Sequence, residues 1–402
     1  ALTAFTSDGF SLGSNSVSNT NTTSYVAWTW DAGSSNASSS AGSENSAAYN
    51  QSAVWSGMCS PAPSINSYVQ GFDGSTTTTF AGGISAGAYF TFTPTGGLSF
   101  TDSVRVYNGG VSGASYKYNG GSATSLPSTS WTTVATGGGT MTSFAVTRNT
   151  TDVHGWFAIE VDGKILVDQG TTPAVNVPST ASTVRANPSA GFSIVGFTGT
   201  NAVATVAHGL NAAPEFIAVK NRDNTASWMV YHSKLTSAAY YLSFNDGDPE
   251  QSASSVWNST TPTNSVFTVG ADNESNGSGD DMIAYCFAPV AGFSAFGSYK
   301  GLGGTGEPFV YTGFAVKFLM VKRYDASNNW AINDAVRNTG NPASNALFPD
   351  NANSEDATRH VDLLSNGFKL KNSSPIYNSS GGDYIYMAFA SNPFQANGGL
   401  AR

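Results

Sequence analysis

One pattern is spelled three times along the chain, and it limits the fold more than any single residue does. A short alternating run is followed by a bridge of small polar residues, and then by a second run of aromatic and β-branched residues. In its fullest form it is Ser265-Val266-Phe267-Thr268-Val269-Gly270, an Asn/Ser/Gly bridge, and Met282-Ile283-Ala284-Tyr285-Cys286-Phe287-Ala288. Near the start stand Gly9-Phe10-Ser11-Leu12-Gly13 and Tyr25-Val26-Ala27-Trp28-Thr29-Trp30; near the end stand Gly367-Phe368-Lys369-Leu370 and Tyr384-Ile385-Tyr386-Met387-Ala388-Phe389. Each copy reads as a hairpin-like strand pair inside a β-rich repeat.

The later copies are the second halves of longer units, with a period of roughly a hundred residues. Their openings agree, Gly191-Phe192-Ser193-Ile194-Val195-Gly196 against Gly292-Phe293-Ser294-Ala295-Phe296-Gly297. So do their centres, Phe216-Ile217-Ala218-Val219-Lys220 with Trp228 against Phe318-Leu319-Met320-Val321-Lys322 with Trp330. Residues 191–290 and 291–402 are therefore expected to be tandem β modules, the second with a C-terminal tail, and residues 1–33 the tail end of a third.

Between these lies a different block. Residues 34–48 are a Ser/Ala/Gly/Asn tract with no apolar period, expected as a flexible linker. Residues 49–170 alternate in Tyr89-Phe90-Thr91-Phe92-Thr93, Val104-Arg105-Val106-Tyr107 and Phe157-Ala158-Ile159-Glu160-Val161, followed by Asn108-Gly109, Asn119-Gly120 and Asp162-Gly163. Asx-Gly after an alternating run favours the positive φ angles of tight hairpins, so this block is expected to be an inserted antiparallel sandwich, galactose-binding-like or lectin-like. Residues 171–190, with Pro173, Pro178 and Pro188, are expected to be a second linker or an extended crossing. Long amphipathic helix periods are missing; Asn333 to Asn338 has room for one turn. The expected class is all-β, tandem antiparallel β-sandwich modules with very little helix.

Charged residues make up only 11% of the chain, below the roughly 25% usual in soluble domains, while aromatics hold at 12%. A disordered polar chain would lack those aromatics, so the composition points to packed β structure under a hydroxyl- and amide-rich surface. A net charge of −9 argues against a phosphate-tracking nucleic-acid partner. No run of eighteen apolar residues suggests a membrane-spanning helix. Cys59 and Cys286 are far apart and make no disulfide framework.

Chemistry was sought residue by residue. His154, His208, His232 and His360 lack zinc-ligand spacing, and no Gly-x-Ser-x-Gly elbow or phosphate-binding glycine loop is present. Paired carboxylates do acid–base work on polysaccharides; Glu160, Asp162 and Asp168, and Asp246, Asp248 and Glu250, are the groups to weigh. The first set reads as turn chemistry and the second as a solvated loop, so no catalytic residue is assigned. Aromatic rings stack on sugar faces. Trp28, Trp30, Trp228 and Trp330 recur with the repeat and are expected to be core. Tyr116, Tyr118, Tyr240, Tyr241 and Trp257 fall in less repetitive stretches and are the candidate exposed ligand contacts.

The repeat pattern, the Val219-Lys220-Asn221-Arg222 segment with Trp228, and the closing Tyr384 to Ala390 run with Asn392-Pro393-Phe394 resemble tail-fibre-type proteins of marine, cyanophage-like tailed phages. Ala158-Ile159-Glu160-Val161-Asp162-Gly163-Lys164-Ile165-Leu166-Val167-Asp168 is similar to the segment that closes an inserted sandwich in such proteins. The resemblance implies a virion structural protein of the tail, acting outside the host, and it carries no catalytic or binding residue with it. Chains of this type assemble mostly as homotrimers, because a β shaft hides its sheet edges in its partners. The expected partners are copies of itself, other tail proteins and a host-surface glycan or protein. A capsid-decorating adhesion protein is the next reading, and a tail-associated depolymerase the last. Gly71-Phe72-Asp73-Gly74 is similar to a loop of discoidin-like sandwiches that can hold calcium. It makes Asp73 a candidate calcium ligand, against the plainer reading of an Asx turn; no other cofactor is expected.

Overall fold

The computed structural model describes residues 2–6, 9–39, 41, 49–50, 52–61, 68–74, 88–108, 113–127, 130–148, 158–169, 178–304, 306–358 and 360–391. Residues 1–31 form one compact unit and 32–402 another. The all-β expectation holds: the regular structure is almost entirely antiparallel sheet.

In the small unit, β1 (Leu2–Phe5) pairs antiparallel with β2 (Phe10–Leu12), Phe5 opposite Phe10. Tyr25 to Trp30 joins no ladder, and Trp28 and Trp30 are half-buried rather than core. The equivalent run in each later copy is clamped between two strands, and the described residues of this unit contain none to clamp it.

Two of the expected linkers contribute strands. β3 (Ala37–Ser39) is the last strand of an eight-stranded sheet, so 34–48 is not simply a flexible tract. The inserted block follows, with β4 (Tyr49–Asn50), β5 (Cys59–Ser60), β6 (Phe90–Phe92), β7 (Leu98–Phe100), β8 (Ser103–Asn108), β9 (Ala114–Tyr118), β10 (Thr124–Leu126), β11 (Ser130–Thr136), β12 (Gly139–Met141), β13 (Phe144–Arg148), β14 (Ala158–Val161) and β15 (Lys164–Leu166). Its two main sheets run β10-β9-β13-β6-β5 and β11-β8-β14-β15-β4. Phe90, Phe92, Val104, Val106, Phe144 and Ile159, the inward members of the alternating runs, fill the core between them. Asn119-Gly120 and Asp162-Gly163 both take positive φ, as the turn chemistry demands. Asn108-Gly109 lies partly outside the described residues.

β16 (Ser182–Asn187) then crosses the second expected linker. It pairs with β3 on one side and with β17 (Phe192–Thr198) on the other. The run Ser182-Thr183-Val184-Arg185 alternates between Pro178 and Pro188, and its pairing on both sides makes it a strand. The first module continues with β18 (Ala204–Ala207), β19 (Phe216–Asn221), β20 (Trp228–His232), β21 (Tyr240–Ser243), β22 (Gln251–Ser252), α1 (Ser254–Trp257), β23 (Val266–Val269), α2 (Asn273–Asn276) and β24 (Asp281–Phe287). The second holds β25 (Ser294–Lys300), β26 (Phe309–Tyr311), β27 (Val316–Arg323), β28 (Ala331–Asp334), β29 (Val361–Leu364), β30 (Gly367–Leu370) and β31 (Asp383–Ala390). No helix forms over 333–338, where β28 runs on to Asp334 and a turn follows.

The modules share one topology. The larger sheet reads β20-β19-β24-β17 in the first and β28-β27-β31-β25 in the second; the smaller pairs β18 with β23 and β26 with β30. The repeated pattern is therefore not a hairpin. Its two runs lie in opposite sheets: β23 pairs with β18, whereas β24 sits between β17 and β19. The run from Tyr384 to Phe389 is apolar on both faces, which requires cover on both and so a central place in the inner sheet. Tyr384, Tyr386 and Ala388 face the module's own core, while Ile385, Met387 and Phe389 are buried on the opposite face. There the two larger sheets pack against each other, with Phe287 against Phe389 at 5.9 Å and against Phe296 at 6.2 Å.

Candidate functional site

Five of the six candidate carboxylates, all but Asp248, hold hydrogen-bond partners. Arg105 donates to Glu160 through Nε and Nη2, each at 2.6 Å, and its guanidinium lies 5.1 Å from the ring centre of Trp131. Asp162 accepts the N–H groups of Thr101 and Asp102 at 2.8 Å and of Ser103 at 3.1 Å, closing a loop sixty residues upstream in the sandwich. Desolvation opposes ionisation there, but these donors outweigh it and hold the carboxyl below its ordinary range. Asp168 accepts from the Ser56 N–H at 2.8 Å and from the Ser56 hydroxyl. Glu250 takes the N–H and hydroxyl of Thr236, and Asp246 caps the N–H of Asp248 at 3.0 Å. Asp162, Asp168, Asp246 and Glu250 hold backbone, and Glu160 holds the Arg105 guanidinium.

The five candidate aromatics do not converge. Tyr116 stacks on Phe144 at 5.9 Å and is half-buried with Tyr118 on the edge of the sandwich core. Tyr240 and Tyr241 are half-buried on β21, Tyr241 against the first module's core. Trp257 is not exposed: it is 2% accessible, edge-on to Tyr231 at 6.1 Å. The stretch around it looked irregular because α1 is a single turn, too short for a helical period to show, and that turn aims Val256 and Trp257 inward. Of the repeat tryptophans, Trp330 is core while Trp228 is half-buried against Tyr285 at 5.9 Å.

Asp73 follows a 3-10 turn over Tyr68–Phe72 and precedes Gly74, whose φ is 82°. Residues 75–87, including Phe80 and the rest of the expected calcium loop, lie outside the described residues. Among the described residues no three His, Cys, Asp or Glu side chains converge as a metal site. Cys59 and Cys286 are both free thiols, and no described helix is long and apolar enough to cross a membrane.

Three features escaped the sequence reading. The first is a pair of buried amides. Asn276 donates to Gly270 O at 2.8 Å and Ala202 O at 2.7 Å while accepting from Thr200 N at 2.8 Å. Asn378 donates to Asn372 O and Gly306 O at 2.8 Å while accepting from Leu302 N at 2.7 Å. They stand at equivalent places in the two polar bridges, which is the signal that was there to be read.

The second is a strap. The loop after β21 leaves the first module and lies on the second: Trp330 Nε1 donates to Ser243 O at 2.9 Å, and Phe244 packs on the same indole at 5.1 Å. Lys322 Nζ donates to Gly247 O at 2.9 Å and Asn328 O at 2.6 Å. Burial pushes this ammonium down to about 8, against the pull of Asp350, Asp246 and Asp248.

The third is a cavity of about 550 Å³ over the ends of β3, β16 and β17. Ser38, Thr183, Thr198, Arg222 and Asp281 line it, and Arg222 and Asp281 stand 3.7 Å apart. A Cβ at Gly196, also in the lining, would meet nothing. Such a surface offers donors and acceptors to a polyhydroxyl ligand.

A profile for a domain of unknown function, DUF7483, matches residues 164–393. No curated protein and no solved structure matches the chain. The match starts on β15 and takes in β16 and both modules, so it spans the strapped pair as one piece and more than half of the sequence. The chain belongs to this family, the domain of unknown function DUF7483.

Proposed function

We propose that this protein is a non-catalytic structural segment of a phage tail fibre, engaged in host attachment through surface glycans and assembled as a homotrimer. The observation that carries the reading is the joint between the modules. Two copies of one sandwich are fastened sheet to sheet through Phe287, Phe296 and Phe389, and the strap from Ser243 to Glu250 is bonded across that joint. A joint with an apolar centre and a cross-bonded margin suits a part that keeps its modules in fixed order along a fibre. The resemblance of the repeat to tail-fibre-type proteins points the same way, and the engaged carboxylates favour binding over hydrolysis.

Gold-labelled antibody against the chain, imaged on intact particles, tests the assignment. Label along the tail fibres is expected; label over the head would replace this reading with a capsid-decorating adhesion protein. Release of reducing sugar from host polysaccharide by the purified chain would replace it with a depolymerase. Native mass spectrometry is expected to give three times the chain mass of 41.6 kDa, and a monomeric mass would remove the trimer.

A further inference from the structure

Among the described residues of 32–402, the Phe, Tyr and Trp rings are buried at least in part, with two exceptions. Phe309 and Tyr311 stand exposed, at 47% and 68%. They are two positions apart on β26, with Val310 between them turned into the core, so both rings project from one face at a spacing of roughly 7 Å. β26 is the outermost strand of its sheet, in the order β26-β30-β29.

The ground beside the rings is built for them. Gly367 on β30 lies opposite Tyr311, and a Cβ there would come within 3.1 Å of Phe309 Cε2 and 2.1 Å of Val310 O. The edge of the Phe309 ring therefore lies beside bare backbone, where a side chain at 367 would crowd it. Lys369 is the cross-strand partner of Phe309 and, on its other side, of Asp362. Glu307, just ahead of β26, holds Lys369 Nζ at 2.6 Å and Lys371 Nζ at 2.9 Å. Two ammonium groups and two carboxylates thus border two open rings, and their formal charges cancel.

The sister module lacks all of this. By strand pairing Thr205 and Thr268 take the places of Phe309 and Lys369. There Thr205 is engaged by a neighbouring segment, with Ser179 N donating to Thr205 O at 2.9 Å and Thr205 N donating to Ser179 Oγ at 2.8 Å. The rings are therefore no requirement of the module fold.

We infer that the Phe309–Tyr311 face is a carbohydrate platform that takes a neutral pyranose of a surface glycan; the inference rests on the reading that this chain attaches to glycans. The apolar C–H face of a pyranose packs on flat rings, while its hydroxyls need donors and acceptors at the margin, here Lys369, Lys371, Glu307 and Asp362. Cancelling charges give no preference for a sialylated or sulfated sugar. Two rings also present far less area than the roughly 800 Å² per partner of a stable protein interface, so a second protein is not the occupant.

The test uses the full chain on an array of neutral oligosaccharides ending in glucose, galactose, mannose or N-acetylglucosamine, with sialylated and sulfated glycans alongside. Binding to at least one neutral glycan is expected. Phe309→Ala and Tyr311→Ala are each expected to weaken it at least about tenfold, with Phe309→Tyr and Tyr311→Phe retaining it and thermal stability unchanged in all four. Neutral-glycan binding that survives both alanine changes would overturn the platform while leaving glycan attachment standing. Binding confined to charged glycans would overturn the neutral class. No glycan bound by the unaltered chain would overturn glycan attachment itself, and the platform with it.

Discussion

His232 in the first module donates through Nε2 to the backbone carbonyl of Tyr386 in the second, 3.2 Å away, while its Nδ1 accepts the Lys234 N–H at 3.1 Å. His208 is held in the same manner, Nε2 to Thr263 O at 3.0 Å and Nδ1 from Leu210 N at 3.3 Å. Both rings are neutral by construction, since a protonated imidazole has no acceptor for the second bond. Burial lowers both to about 4 from 6.5, against the upward pull of the carbonyl bonds.

The unfolded chain therefore holds more protons than the folded one between pH 6.5 and about 4. Stability from this source is full above 6.5 and falls as the pH drops through that window, by up to about 1.4 kcal/mol per pH unit for each histidine. Urea midpoints at pH 7.5, 6, 5 and 4.5 measure it. A His208→Gln/His232→Gln chain should show a flatter acid limb; an unchanged slope would mean that other groups carry the acid sensitivity.

Asn276→Ala and Asn378→Ala should each destabilise the chain by about 2–4 kcal/mol, since each strands several buried backbone groups at once. The loss should show first as faster amide exchange in the loop joining the first two strands of the affected module. A change under about 0.5 kcal/mol in either would remove these amides as equivalent pins.

The strap makes the modules one folding unit. Lys322→Ala removes the ammonium donor from Asn328 O and one of two donors from Gly247 O, which keeps the Asn328 N–H, at a cost of about 1–3 kcal/mol. Calorimetry should resolve a split of the modules' shared transition in Lys322→Ala combined with Phe389→Ala. A single undivided transition in that double variant would show that the Phe287–Phe389 joint and the strap are not what couples them.

Glu160→Gln and Asp162→Ala should behave as stability changes. Glu160→Gln breaks a two-pronged ion pair with Arg105 and should cost about 1–3 kcal/mol. Asp162→Ala releases three backbone N–H groups and should lower the melting temperature of the sandwich. Glycan binding on the array should be the same in both as in the unaltered chain. A loss of binding at full stability would assign these acids to a ligand site.

The strands of the sandwich were legible because alternation, Asx-Gly turns and inward apolar residues such as Phe90 and Phe92 all agree locally. The module repeat was legible because Phe216 to Lys220 and Phe318 to Lys322 share Phe, Val and Lys at the same places, with apolar residues between. Trp257 was misread because one helical turn carries no period. β16 was misread because Pro178 and Pro188 flank an alternating run that only its partners identify as a strand. Nor did the candidate aromatics include Phe309 and Tyr311: in sequence, Phe309-Val310-Tyr311 looks like any buried strand.

The sequence by itself determined that this is an all-β chain of tandem modules with an inserted sandwich. Those properties live in period, turn chemistry and self-similarity, which are local. Tertiary structure alone decided that the two runs of the repeated pattern belong to opposite sheets. A run apolar on both faces states that it needs cover on both sides, without naming what supplies it. For the second of these runs the cover on its outer face is another module: Phe389 meets Phe287, and the strap covers Trp330. Exposure was decided in the same way, since whether a ring ends in a core or on a surface depends on which strands happen to lie over it.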